Sequence, residues 1–182
     1  GYPAAYIMAM ADFKTPQVMA MLFILPMWIN FLLRTIATVE LFRMFGLPLG
    51  EGALLFGMVY DFLPFMIYPI YNTLQKMDTS LIEAAHDLGA KRHQVFLKVT
   101  LPLSVPGIYS GIVMVFMPTV STFAIAELLT HNKVTLFGSL IQRCFGEGGI
   151  AMWNYGAALS LIMLIIIGLT SFFGGDKEDI NR

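Results

Sequence analysis

Two groups of residues in this chain sit where side-chain chemistry would matter. The first centres on Asp61, which falls inside the apolar run GALLFGMVYDFLPFMIYPIY at residues 52–71, directly after Tyr60. An ionisable group in such a run is costly unless it faces a cavity or a partner. Two readings stand: a hydrogen bond or ion pair to another helix, or a place on a solute's route. A cationic solute would favour carboxylates and aromatic faces, because aromatic rings attract ammonium groups. Asp61, Tyr60, Tyr68 and Tyr71 therefore form the candidate pathway set. The second group is the stretch SLIEAAHDLGAKRHQVFLKVTLPLSVPG at residues 80–107, which carries Glu83, His86, Asp87, Lys91, Arg92, His93 and Lys98. The sequence has no G-x-x-x-x-G-K-[ST] phosphate loop, and His86, His93 and His131 lack metal-ligand spacing. Gly146-Glu147-Gly148-Gly149 is glycine-rich, follows no strand pattern and reads as a turn. The lone Cys144 excludes an internal disulfide and any cysteine-based metal site. The chain is expected to be no enzyme and to hold no metal or cofactor, so energy must come from a partner.

The elements that position these residues follow from composition. The 182 residues are 57% hydrophobic and 13% charged, with a mean hydropathy of +0.72. Soluble domains carry about a quarter charged residues, so the chain belongs to the membrane class. A net charge of −1 argues against nucleic-acid binding. About 20 mostly apolar residues are needed to cross the hydrocarbon core as a helix. Four runs qualify, at about residues 18–37, 52–71, 105–126 and 153–173. The opening GYPAAYIMAMA is apolar but too short to cross, and reads as the end of a fifth helix with a segment expected before it. Pro26, Pro64, Pro69 and Pro118 lie inside these runs. Neighbouring helices can re-satisfy the backbone groups that proline frees, and Pro64 with Pro69 is the candidate hinge.

Four spans alternate sides. One side then receives Lys14, Lys76, Lys91, Arg92, Lys98, Lys177 and Arg182; the other receives Arg43, Lys133 and Arg143, with Arg34 near the boundary, where a long side chain can snorkel. The excess of cations places residues 72–104 and the carboxyl tail in the cytoplasm.

Within the polar stretch, Ser80-x-x-Glu83 has capping-box spacing. Leu81, Ala84, Ala85 and Leu88 fall on one face of a short helix, and Gly89 ends it. A second short helix is predicted from Lys91 to Val99, with Pro102 and Pro106 stopping it and starting the next span. A connection alone would be shorter. A helix–turn–helix of this kind is either a docking element for another protein or an amphipathic pair resting on lipid headgroups. Beyond it, Phe137, Leu140, Ile141 and Cys144 at helical spacing predict a short amphipathic helix on the opposite face.

Glu83-Ala84-Ala85, three residues, Gly89, nine residues, Val99, one residue, then Leu101-Pro102 resembles the EAA motif of binding-protein-dependent ABC importer permeases, with Val99 at the usual isoleucine position. GYPAAY, LPMWINFLLRT, YDFLPFMIYPIY, LIEAAHDLGA and LPLSVPGIYSG are similar to the spermidine/putrescine permease subunits of that family, so the resemblance covers nearly the whole chain. It implies an all-α integral membrane protein with a MetI-like importer bundle, a single partial domain over residues 1–182. That bundle would have four complete spans plus part of a fifth, lacking the first span and most of the second of the family's six. It also implies that residues 78–104 form a cytoplasmic coupling loop seated in a groove of a separate ATPase subunit. Glu83 would make a charged contact there, Ala84 and Ala85 would allow close approach, Gly89 would turn the chain, and Val99, Leu101 and Pro102 would complete the motif. The implied partners are ATP-binding cassette subunits, a second permease subunit, an extracytoplasmic substrate-binding protein and bacterial inner-membrane lipid. The implied cargo is a polyamine; permeases for iron, sulfate or molybdate share the motif. A self-sufficient secondary transporter or channel using Asp61 as an ion or proton site is the competing reading, and it leaves the surface helix pair unexplained.

Overall fold

The computed structural model describes residues 1–10, 16–131, 133–146 and 149–179, which form helices and the connections between them, with no strand among them. Of the turn expected at residues 12–16, residues 12–15 lie outside the described residues, as do the centre of the glycine-rich turn at 146–149 and residues 180–182.

Helix α1 (Tyr2–Met10) is followed by α2 (Pro16–Ile24), a 3-10 turn (Leu25–Trp28) and α3 (Phe31–Met44). The run expected to form one helix over residues 18–37 is broken here, and its two halves meet at 98°. Pro26 opens the tight turn, where its missing N–H costs nothing. Ile29 is then extended, and the Asn30 side chain accepts from Leu32 N at 2.9 Å to start α3 afresh. Helix α4 (Glu51–Gln75) begins after Gly50 with Glu51 in its first turn, a placement that complements the helix dipole. Its 25 residues reach about 37 Å at 1.5 Å per residue, and it runs unbroken through Pro64 and Pro69.

Helices α5 (Thr79–Asp87) and α6 (Arg92–Val95) precede a π-turn (Phe96–Thr100) that leads straight into α7 (Leu101–Ser121). Contrary to expectation, Pro102 and Pro106 do not stop a short helix; Arg92–Ser121 is one continuous helical rod. Leu101 N donates to Phe96 O, five residues back. That wider turn lets the helix pass a residue whose ring would otherwise collide with the carbonyl four positions earlier. At the other end α7 stops at Ser121, Thr122 is extended, and residues 124–126 belong to α8 (Ala124–Thr130). The chain ends with α9 (Phe137–Gly146) and α10 (Gly149–Asp179). Glu51–Gln75, Arg92–Ser121 and Met152–Ser171 are long and apolar enough to cross a membrane, and the bent Met21–Trp28 and Phe31–Met44 pair also qualifies if counted as one span.

Helix α4 is the hub. Its carboxyl half packs Ile67, Ile70, Tyr71 and Leu74 against Ala5 and Met8 of α1. Its amino half packs Ala53 and Leu54 against Val39 of α3 and Ile125, Ala126 and Leu129 of α8. Its longest contact is with α7. There Gly107 and Gly111 face it so closely that a Cβ at Gly107 would lie 2.7 Å from Thr73 Cβ, and one at Gly111 would lie 3.2 Å from Met66 O. This is the small-xxx-small device by which membrane helices approach without a hydrophobic driving force. Helix α10 is apolar on all sides yet only 11% of its crossing segment is buried, as suits a helix facing lipid.

Candidate functional site

The polar stretch folds as a compact protrusion. Asp78, not Ser80, caps α5: its carboxylate accepts from Ser80 N at 2.9 Å. Aspartate and serine are comparable N-caps, and the carboxylate also complements the aligned peptide dipoles. The bonds from Ser80 hold the Asp78 carboxyl below its ordinary pKa. With the cap two residues upstream, Glu83 has no reciprocal bond to make; it is exposed, and no described side chain pairs with it. Leu81 is 47% and Leu88 88% exposed, so the apolar stripe of α5 faces away from the bundle. Ala84 is exposed beside it and Ala85 is half-buried.

Gly89 ends α5 with φ +81°. Gly89 N donates to His86 O at 2.8 Å and Ala90 N to Ala85 O at 3.1 Å, the paired bonds of a Schellman turn. A Cβ at Gly89 would meet nothing within 4 Å, so only backbone conformation demands glycine here. Gly89→Val is expected to cost about 1–2 kcal/mol through the left-handed backbone alone. Hydrogen exchange of the Leu88, Gly89 and Ala90 amides should speed up correspondingly, and unchanged exchange would contradict the assignment. Past the turn, Gln94 Oε1 accepts from Lys91 N at 2.9 Å. Val99 and Leu101 are half-buried and Pro102 is exposed.

The intramembrane set does not assemble in one place. Asp61 is buried between α3 and α4, with Oδ1 3.3 Å from Arg34 Nε and Oδ2 accepting from Thr35 Oγ1 at 3.1 Å. Arg34, expected to snorkel at a boundary, is itself buried and lies 5.9 Å from the centre of the Tyr60 ring. The rest of the Tyr60 side chain is open to the surroundings. Tyr68 lines a cleft of about 270 Å³ with Pro69, Asn72, Thr73, Lys76, Ser110 and Met114. Tyr71 is buried in the α1–α4 cluster with its hydroxyl unpartnered. The predicted amphipathic helix forms as α9, with Cys144 buried against Gly156 of α10.

Three features were not read from the sequence. The Arg34 partner of Asp61 lies far along the chain in a second apolar run. The Gly107-x-x-x-Gly111 spacing was available as a packing signal. The contact of Tyr2 and Tyr6 with Phe96 left no local signature.

Residues 1–175 match the family model described as binding-protein-dependent transport system inner membrane component. The spermidine/putrescine transport system permease protein PotB of Escherichia coli (strain K12) is 34% identical, over 93% of this chain and 67% of that protein. PotB of Haemophilus influenzae is 34% identical, over 94% of this chain and 65% of its own length. The chain thus spans about two thirds of the length of these curated relatives. Among solved structures, an inward-facing conformation of the MetNI methionine ABC transporter superposes with a TM-score of 0.72 at 21% identity, covering 94% of this chain and 81% of that one. That likeness shows the fold: an all-α importer-permease bundle.

Proposed function

Because the chain belongs to the binding-protein-dependent transport system inner membrane components, we propose that it is the permease subunit of an ATP-driven importer whose cargo is a polyamine. The α5 protrusion carries the reading. It is a capped, glycine-terminated helix with an unpaired Glu83 and an outward Leu81–Leu88 stripe. A helix that merely bridged two spans would turn that stripe inward. On this reading residues 78–104 lie in the cytoplasm as one coupling loop, and α5 seats in a groove on an ATP-binding cassette subunit. Ala84 and Ala85 let it approach, Gly89 sets its angle, and Val99, Leu101 and Pro102 join it to α7. A second permease subunit, identical or homologous, completes the passage across the bacterial inner membrane, and an extracytoplasmic binding protein delivers cargo near α9.

Polyamine as cargo rests on the names of the spermidine/putrescine relatives. Tyr60 and Tyr68 supply exposed aromatic faces for an ammonium group. Asp61 serves the route by holding Arg34, and Tyr71 by fixing α1 to α4. Engagement of Asp61 by Arg34 and Thr35 weighs against a secondary transporter that would need that carboxylate free for an ion or proton.

A charged hydrogen bond from Glu83 to the ATPase is worth about 1.5–3 kcal/mol, so Glu83→Ala is expected to weaken ATPase retention about tenfold or more. Titrating the purified ATPase against the vesicle-reconstituted permease, and measuring labelled spermidine and putrescine uptake, tests both halves of the reading. Full retention and uptake with Glu83→Ala would sink the docking assignment, and absence of polyamine uptake by the native complex would sink the cargo.

A further inference from the structure

The rod Arg92–Ser121 is joined to α1 at the start of its π-turn and again beyond it. At the first residue of the turn, the Phe96 ring presents edge-on to two tyrosines of α1: its centroid is 5.9 Å from Tyr2 at 79° and 5.3 Å from Tyr6 at 88°. The two tyrosine rings are themselves stacked at 6.4 Å. After the turn, Tyr2 Oη lies 2.9 Å from Ser104 Oγ. Ser104 spends its own proton on Leu101 O at 2.8 Å, so Tyr2 is the donor. Val95, Thr100 and Ser104 are buried along this seam. Helix α1 in turn packs Ala5 and Met8 against Ile67, Ile70, Tyr71 and Leu74 in the carboxyl half of α4.

A π-turn is a weak place in a helix, with one residue too many per turn and carbonyls displaced from their usual partners. Left unbraced, the segment would let α5 and α6 swing without moving α7. Helix α1 spans the weak place as a splint, held by two ring contacts below and one hydroxyl bond above. Aromatic edge-to-face pairs prefer one geometry, so the splint transmits direction as well as force.

We propose that Phe96, seated across Tyr2 and Tyr6, is the joint that carries movement of the α5 docking helix into α1 and from there into α4. The proposal rests on the importer reading and assigns Phe96 a positioning role. Phe96 is half-buried against α1, whereas Glu83 and Leu88 on the docking helix are exposed.

The test uses the complete transporter in lipid vesicles, with native Phe96, Phe96→Ala and Phe96→Trp. Each form is scored for ATPase retention, ATP hydrolysis, labelled spermidine taken up per ATP, and the distance between spin labels at Ile7 and Asp87, both exposed. Phe96→Ala is expected to keep its ATPase and its hydrolysis while uptake per ATP falls about tenfold, within the range of coupling positions. The Ile7–Asp87 distance, steady through the ATP cycle in the native form, should broaden. Phe96→Trp should restore both. Unchanged uptake per ATP with an unchanged distance overturns the joint, as does loss of the ATPase in Phe96→Ala. If the native complex binds ATPase but not spermidine, the label distance decides. If it binds no ATPase, the importer reading falls and the joint with it.

Discussion

Asp61→Leu alone is expected to destabilise the bundle by about 3–5 kcal/mol, and so is Arg34→Met, whereas the two together should recover most of the loss. Each single change leaves one charge buried without its counter-ion. Arg34 Nε and Nη1 already have no hydrogen-bond acceptor, and Asp61 Oδ1 has no donor. The pair therefore leans on charge attraction at 3.3 Å and on the single Thr35 hydroxyl proton, which Asp61 Oδ2 shares with Phe31 O. Removing either charge strands the other between α3 and α4, where no solvent compensates it. The double variant replaces two desolvated charges by apolar groups of similar size, which fit a site flanked by Tyr60. A double-mutant cycle on thermal midpoints in lipid nanodiscs measures the coupling, and a coupling near zero would contradict the pairing. Because Asp61→Asn carries part of the same cost, polyamine uptake by that variant must be normalised to folded complex before it speaks to the pathway.

The sequence made the cost of Asp61 legible but not its partner. Counting along a straight span from residue 18 put Arg34 near a boundary. The break at Pro26 and the new start at Asn30 instead place Arg34 in the first turn of α3, against α4. A local pattern cannot report a 98° bend. The polar stretch was more readable, since helix ends are set by neighbouring residues: Gly89 is where the periodicity said a turn must be. Even there two good cap residues, Asp78 and Ser80, lay two positions apart, and the helix starts directly after Asp78. The misplaced stop at Pro102 has a similar cause. Pro102 has no N–H to donate and its ring crowds the carbonyl four residues back, and the chain widens just before it, where Leu101 N reaches Phe96 O five residues back. The tyrosines of the candidate route share one polarity but different neighbours, and only packing separates buried Tyr71 from exposed Tyr68.

Gly107→Ala is expected to cost about 2–3 kcal/mol, and Gly107→Leu to prevent α4 and α7 from closing, while Gly111→Ala should cost less than about 1 kcal/mol. The two glycines are one turn apart on the same face but meet different obstacles. A methyl at Gly107 would collide with Thr73 Oγ1 and lie 2.7 Å from Thr73 Cβ and 3.0 Å from Pro69 O. Thr73 cannot swing aside without breaking the 3.0 Å bond from its hydroxyl to Pro69 O, and the Pro69 ring fixes the backbone beneath it. Relief therefore requires the helices to part, which opens their longest contact. At Gly111 the nearest atom is Met66 Sδ at 2.8 Å, the end of a flexible side chain, and Met66 O at 3.2 Å need give by only a few tenths of an ångström. Parting at Gly107 also shifts Asn72, Thr73 and Ser110 in the Tyr68 cleft, so uptake should fall with stability in Gly107→Ala and hold in Gly111→Ala. Thermal midpoints of the two alanine variants in the same lipid decide the matter: a large shift for Gly107 and a small one for Gly111 is expected, and equal shifts would show that Thr73 and Pro69 do not form the rigid wall inferred here.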